Sequence, residues 1–320
     1  MIITVTLTPT LERTLVVHYL GVGYTNETQG PVRLDPAGRG INIARALHRL
    51  NCPTQSLILL GNDSVGEVYE SLLSEEAFDV IVVPTKTYTR SCTVIWDDKN
   101  QLETRLVGSD PRLDQADIIM LGEALAERVK AGDMVVLAGD LPYGVEPDSF
   151  AYLTDVVQGV GAKVALATNG YALRDALKAE PDLVVLDQGS AEAYFNYPIR
   201  TYEDLLTSAH HLREAGSQQV LIFVKTKGLA VLVDADEQWM VEFPESDCSG
   251  TSSGVWDAMV AGFLAGRSKR RPLGEALELG AAAATYATMQ IGNEFGTLKE
   301  LKAHLDDVDV ISIDHADHPA

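Results

Sequence analysis

The sequence predicts a three-layer α/β/α protein built on a mainly parallel sheet. Three observations carry this. Short runs of near-continuous Val, Ile and Leu alternate with helical patterns along the chain, as strands covered on both faces require. At 320 residues and 46% hydrophobic content the chain has material for a substantial core. No Pro- or Ser-rich linker and no internal repeat divides it, so residues 1–320 are expected to form one domain.

The elements follow in order. Ile2 to Leu7 is apolar at alternate positions and rich in β-branched residues, a strand pattern. Gly40 to Leu50 places Ile41, Ala44, Leu47 and Leu50 at helical spacing. Gln55–Leu60 then reads as strand, Gly66–Leu73 as helix and Val80–Val83 as strand. Beyond them come Met134–Ala138 as strand, Asp148–Gly159 as helix and Lys163–Ala167 as strand. Leu183–Leu186, Val220–Val224 and Leu229–Val233 add strands, and the C-terminal third is mostly helical. Two segments break the rhythm. Arg13–Tyr19 and Thr93–Val107 read as strands with no helix after them, the second a hairpin turning at Asp97–Asn100. They predict a small antiparallel sheet standing off the main one as a lid, with its strands approximately within residues 12–35 and 89–107. The acidic tail from Asp306 to Ala320, with His315 and His318, is expected to be a solvated end.

Lys and Arg number 25 against 46 Asp and Glu, a net charge of −21. So acidic a surface argues against nucleic acid and anionic membranes as partners. It also means that a site for an anionic substrate must collect its positive charge locally. Cys52, Cys92 and Cys248 are odd in number and lack metal-ligand spacing, which fits a reducing, cytoplasmic setting. Met1 to Leu7 lacks the basic start of a signal peptide, and no apolar run is long enough to span a bilayer.

Chemistry concentrates in Ser253–Gly266, a small-residue turn running into a helix, with Asp257 at the junction. A helix N-terminus offers unpaired N–H groups and a positive dipole end to an anion. A carboxylate beside that anion can take a proton from an attacking hydroxyl. A second Gly-punctuated turn, Asp35-Pro36-Ala37-Gly38-Arg39-Gly40-Ile41-Asn42, opens the first helix. The two motifs, about two hundred residues apart, together resemble the PfkB (ribokinase-like) family of sugar kinases. The similarity is to the branch that phosphorylates sugar phosphates, 1-phosphofructokinase and tagatose-6-phosphate kinase. Thr4–Pro9, Thr89-Arg90 and Gly139–Pro142 also resemble that branch.

The resemblance implies a ribokinase-like fold, ATP and magnesium as cofactors, a sugar phosphate as small-molecule substrate, and a homodimer through the lid sheet. It implies that Asp257 is the catalytic base and that Gly254, Val255 and Trp256 belong to the anion hole. Gly38, Arg39 and Asn42 would line the sugar site, Glu12 would hold sugar hydroxyls and Arg90 the substrate's phosphate. Asp187 would act on hydrated magnesium. Lys225, Lys227 and Gly228 would fall on the nucleotide side. No protein-held metal site is expected.

The chain departs from the family pattern where the chemistry lies. Trp256 stands in the anion-hole sequence Gly254-Val255-Trp256-Asp257, where the family has small residues, and an indole brings large bulk. Arg39 replaces the usual lysine, Glu12 an aspartate and Ala37 a glycine. Asp187-Gln188-Gly189-Ser190 lacks the family's glutamate, and Phe223-Val224-Lys225 lacks a glycine. Asp140 puts a carboxylate where the family has a serine. Two functions therefore stand side by side. One is an ATP-dependent kinase acting on a phosphorylated ketohexose such as fructose-1-phosphate or tagatose-6-phosphate. The other is a catalytically impaired relative that binds a sugar phosphate or nucleotide as a sensor. A nucleoside acceptor is disfavoured, because it gives Arg90 no anion to bind.

Overall fold

The computed structural model describes residues 1–168, 170–224, 227–244 and 250–313. Lys225, Cys248, His315 and His318 lie outside the described residues. The chain opens with β1 (Ile2–Thr6), β2 (Thr10–Val17) and β3 (Arg33–Ala37), then α1 (Arg39–Arg49), β4 (Thr54–Gly61) and α2 (Ser64–Leu73). It continues with β5 (Asp79–Thr85), β6 (Arg90–Asp97), β7 (Leu102–Val107), α3 (Gln115–Arg128), β8 (Met134–Ala138), α4 (Ser149–Gly159) and β9 (Lys163–Ala167). Next come α5 (Gly170–Ala176), β10 (Leu183–Asp187), α6 (Gln188–Phe195), α7 (Tyr202–Glu214), β11 (Gln219–Val224), β12 (Leu229–Val233) and β13 (Gln238–Glu242). The C-terminal part holds α8 (Val255–Ser268), α9 (Leu273–Thr288), α10 (Leu298–Leu305) and β14 (Asp309–Ser312).

Ten strands form one sheet in the order β14-β13-β12-β11-β10-β9-β8-β1-β4-β5. From β5 to β11 every pairing is parallel; β12, β13 and β14 are added antiparallel. The period-2 alternation of each strand feeds two cores. Ile2, Val136 and Ala138 face a layer that includes α1, α8 and α9, with Ile43, Leu47, Met259, Phe263 and Leu277 buried there. Ile3, Val5, Val135 and Leu137 face the opposite layer, against Leu121, Leu153, Leu173 and Leu206 from α3, α4, α5 and α7. This is the three-layer arrangement the sequence predicts.

Two expectations change. The lid is a mixed sheet, ordered β3-β2-β6-β7, because β2 and β6 run parallel from Thr10 opposite Arg90 to Val17 opposite Asp97. These strands come from separate crossovers rather than one hairpin, so nothing obliges them to run antiparallel. The tail is also not wholly a solvated end, since Asp309–Ser312 pairs with β13 as the sheet's last strand. The alternation there is short, and only pairing on an existing edge makes it a strand.

Connectivity fixes where a ligand can sit. From β1 the chain builds outward through β4 and β5, then returns to place β8 on the other side of β1. That reversal opens a crevice at the C-terminal ends of β1 and β8, the usual ligand position in an open α/β sheet.

Candidate active site

Three structural pieces, the lid and the starts of two helices, converge above this crevice. The inner face of the lid follows from strand alternation: Thr10 and Glu12 of β2, Arg90 and Cys92 of β6, and Arg105 and Val107 of β7 all point one way. Register sets Thr10 opposite Arg90 and Glu12 opposite Cys92. From below come the first turns of α1 and α8, which pack on each other. They enclose a cavity of ≈ 250 Å³ lined also by Gly38, Arg39, Asn42, Gly254, Trp256 and Asp257.

Both turns need their glycines. Gly254 caps α8 at φ 76°, a left-handed conformation. A Cβ there would lie 2.8 Å from the Phe295 ring. Gly38 precedes α1 at φ 138°, and a Cβ would come within 2.7 Å of the Thr6 methyl group. Each glycine lets a helix begin directly at the cavity wall, and the first-turn N–H groups of α8 then have no intrahelical acceptor.

Asp257, in the first turn of α8, is a buried acid, 5% exposed. Burial pushes its carboxyl up from 3.8 to about 6, against the opposing pull of the Arg39 guanidinium and the Asn42 hydrogen bond. Asn42 Nδ2 donates to Asp257 Oδ2 at 2.8 Å and to Asn293 Oδ1 at 3.0 Å. Asn293 Nδ2 donates in turn to Glu12 Oε1 at 2.8 Å. Ser253 Oγ donates to the same oxygen at 2.9 Å, and Arg105 Nη2 donates to Glu12 Oε2 at 2.8 Å. Glu12 is 3% exposed, and both its oxygens are occupied by protein donors. It anchors a network running from the lid to Asp257, rather than presenting a free carboxylate to the cavity.

Arg105 and Asn293 carry no motif, and sequence reading missed them. Arg105 could have been found only from its place on the inward side of the second lid hairpin. Burial works against its charge, but Glu12, Cys92 and Glu103 hold its guanidinium above the ordinary value. Asn293 follows α9, with Asn42, its hydrogen-bond partner, 251 positions away.

Three cations thus meet in an otherwise acidic protein. Arg90 Nε donates to Thr10 Oγ1 at 2.8 Å, and its Nη1 is paired with Asp110. The Arg39 guanidinium stacks 4.2 Å from the centre of the Trp256 ring, a cation–π contact. Its Nη2 lies 3.9 Å from Asp187 Oδ2. The bulk of Trp256 is therefore directed to the cavity wall beneath Arg39, and its Nε1 is buried without a hydrogen-bond partner among the described residues. A neighbouring cavity of ≈ 70 Å³ joins Thr6 and Thr8 from the end of β1 to Gly139 and Asp140 from the end of β8. Arg39 and Arg90 line it as well, so cations face the carboxylate of Asp140.

The remaining sequence candidates lie elsewhere. Val255 is the first residue of α8, with its side chain buried in the core. Asp187 caps α6, accepting from Ser190 N at 2.7 Å, and meets the cavity only through Arg39. The Gly228 carbonyl accepts from Phe243 N at 2.8 Å, and Lys227 Nζ donates to the Arg200 carbonyl at 2.9 Å. Among the described residues, no group of three His, Cys, Asp or Glu side chains is placed to hold a metal ion, and no helix is long and apolar enough to cross a membrane.

A sequence model of the pfkB family of carbohydrate kinases matches residues 11–299. The chain belongs to the PfkB family. Among curated relatives, 1-phosphofructokinase of Bacillus subtilis (strain 168) is 29% identical over 296 residues, covering 92% of this chain and 95% of the relative. The 1-phosphofructokinase of Xanthomonas campestris pv. campestris is 33% identical over 267 residues, 82% of this chain and 83% of the relative. Among solved structures, phosphofructokinase-2 of Escherichia coli in complex with fructose-6-phosphate superposes with a TM-score of 0.84 at 24% identity, covering 95% of this chain and 98% of that one. At that identity the superposition establishes the PfkB fold and leaves chemistry to the site.

Proposed function

We propose that this PfkB protein transfers the γ-phosphoryl group of ATP to a hydroxyl of a phosphorylated ketohexose, of the fructose-1-phosphate or tagatose-6-phosphate kind. One observation carries the reading: a buried carboxyl, Asp257, raised to about 6, lies beside the open N-terminus of α8 in a cavity that gathers Arg39, Arg90 and Arg105. At neutral pH such a group is ionised and ready to accept a proton. The names of the 1-phosphofructokinase relatives support the same substrate class.

In this reading Asp257 accepts the proton of the attacking hydroxyl. Asn42 holds the carboxylate through Oδ2, and Asn293 fixes the Asn42 amide. Arg90 and Arg105 hold the phosphate already on the sugar, with Arg39 at the border between the two cavities. Glu12 positions Arg105, Ser253 and Asn293. The first turn of α8 fits an anion, because its N–H groups have no intrahelical acceptor at the cavity. ATP, when bound, supplies the phosphoryl group there, held by the backbone of Val255, Trp256 and Asp257. Magnesium would enter with the nucleotide's phosphates, as this ion commonly does, with Asp187 the nearest carboxylate to Arg39.

One observation favours a second reading, binding without turnover: a bulky indole, Trp256, lines the cavity in the first turn of α8, where a glycine would leave more room. ADP release with fructose-1-phosphate and tagatose-6-phosphate decides between the two. Turnover that depends on one sugar phosphate and is lost in Asp257→Asn supports the kinase. Thermal stabilisation by a sugar phosphate with no ADP formed supports the binder. We further propose that the lid mediates a homodimer, because Leu34, Leu102 and Leu106 leave apolar surface exposed on it. Sedimentation of Leu102→Glu/Leu106→Glu as a monomer, against a dimeric parent, is the expected result.

A further inference from the structure

A second cleft, of ≈ 740 Å³, opens at the opposite edge of the main sheet, where β8, β9 and β10 begin. The last turn of α8 forms its other wall. Its floor is apolar and buried, with Ile2, Leu183, Phe263 and Leu264 contributing. Its rim carries Lys163, Arg267, Lys269 and Arg270, and a single carboxylate, Asp182, shares the lining. In a protein of net charge −21 this is a pronounced local reversal of sign.

The hydrogen bonds at the rim leave most of this charge uncompensated. Arg267 Nη1 donates to the Arg271 carbonyl at 2.6 Å and Lys269 Nζ to the Leu50 carbonyl at 3.0 Å, both neutral acceptors. Lys163 Nζ stands 3.9 Å from Asp182 Oδ1. The helix dipole favours cations at the end of α8. It does not account for Lys163, which comes from the start of β9, or for an apolar floor between them.

We propose that this cleft binds a small amphipathic anion, a phosphate or carboxylate carried on an apolar body. The volume suits such a ligand, since small-molecule sites run to roughly 300–1,000 Å³ with mostly apolar linings and a few charged groups. Its position gives the site reach. α1 begins with Arg39 and Asn42 at the catalytic cavity and ends just before Asn51 and Cys52 at this cleft. α8 begins with Trp256 and Asp257 at the first and ends with Arg267 and Ser268 at the second. The Lys269 bond to Leu50 ties the two helix ends together. A ligand in the cleft therefore bears on both helices that carry the candidate catalytic residues.

The test is a fluorescence titration of the intact protein with 1-anilinonaphthalene-8-sulfonate. We expect saturable binding at one site, displaced by phenyl phosphate but not by the same concentration of inorganic phosphate or phenol. The double variant Lys163→Glu/Arg270→Glu changes two exposed side chains and should weaken binding by about tenfold or more. Arg90→Gln, in the catalytic cavity, should leave the titration unchanged. Undiminished affinity in the double variant, equal loss in Arg90→Gln, or the absence of saturable binding would each overturn the proposal.

Discussion

Asp257→Asn should make the protein more stable while removing its activity, and the size of the gain follows from the site. The Asp257 carboxyl ionises near 3.8 in an unfolded chain and at about 6 in the folded one, chiefly because it is buried. The folded state therefore holds this proton more tightly than the unfolded state does. Stability contributed by the group is fully present below 3.8 and is lost as pH rises through about 6. At 1.36 kcal/mol per pH unit, the loss reaches about 3 kcal/mol at neutral pH. Asparagine has the same shape, still accepts from Asn42 Nδ2, and carries no charge to desolvate. The variant should exceed the parent by about 1 kcal/mol near pH 4.5, widening to about 3 kcal/mol near pH 7.5. Urea unfolding of both proteins across that range is the assay. The strong overall acidity makes each protein pH-sensitive on its own, but that background cancels in the difference. A gap that stays constant with pH would refute the argument, because it would show that the Asp257 carboxyl has an ordinary ionisation in the fold. Turnover in the same variant should fall by about 10²–10⁴-fold, the usual worth of a positioned base.

Four further outcomes follow from the same geometry. On the proposed kinase reading, turnover of the parent protein should rise with pH through about 6 and then level, as Asp257 loses its proton; a profile flat down to pH 5 would remove it as base. Gly254→Ala should cost about 1–3 kcal/mol in denaturant unfolding, because the left-handed backbone disfavours a side chain and the Cβ would press on Phe295. Trp256→Ala removes the platform under Arg39, worth about 1 kcal/mol, and should weaken sugar-phosphate binding about fivefold by calorimetry without nucleotide. Tyr69→Phe should cost about 1 kcal/mol, since the buried hydroxyl donates to the Ala37 carbonyl at 2.9 Å and the substitution removes that hydrogen bond.

The main sheet is legible in the sequence because its strands are buried on both faces and read as plain apolar runs. Met134–Ala138 and Leu229–Val233 have the same bounds in sequence and structure. Elements that depend on a neighbour are not legible in this way. β13 and β14 form on an edge supplied by β12, and the parallel pairing of β2 with β6 joins segments eighty residues apart in register. The candidate site divides along the same line. Residues in local turn-helix motifs, Gly38, Arg39, Asn42, Gly254 and Asp257, meet in one cavity. Arg105, Ser253 and Asn293 join them through long-range hydrogen bonds that no spacing encodes. The geometry of Arg90 was equally hidden, since its pairing with Asp110 is a contact made only in the fold.

The departures from the family pattern are physically linked in the structure. Arg39 and Trp256 stand about two hundred residues apart in sequence, yet the guanidinium of one lies on the indole face of the other. A lysine would make a poorer partner for that surface, because a planar, weakly hydrated guanidinium stacks where an ammonium does not. Glu12, one methylene longer than an aspartate, fills both its oxygens with Arg105, Ser253 and Asn293. These three substitutions, Arg39, Trp256 and Glu12, thus find complements across the cavity that join lid, α1 and α8. Two buried groups of the site remain without a partner among the described residues, Trp256 Nε1 in the larger cavity and Thr6 Oγ1 in the smaller one. The indole therefore serves the site through its ring face, which carries Arg39 at the cavity wall, while its N–H stays buried against the core.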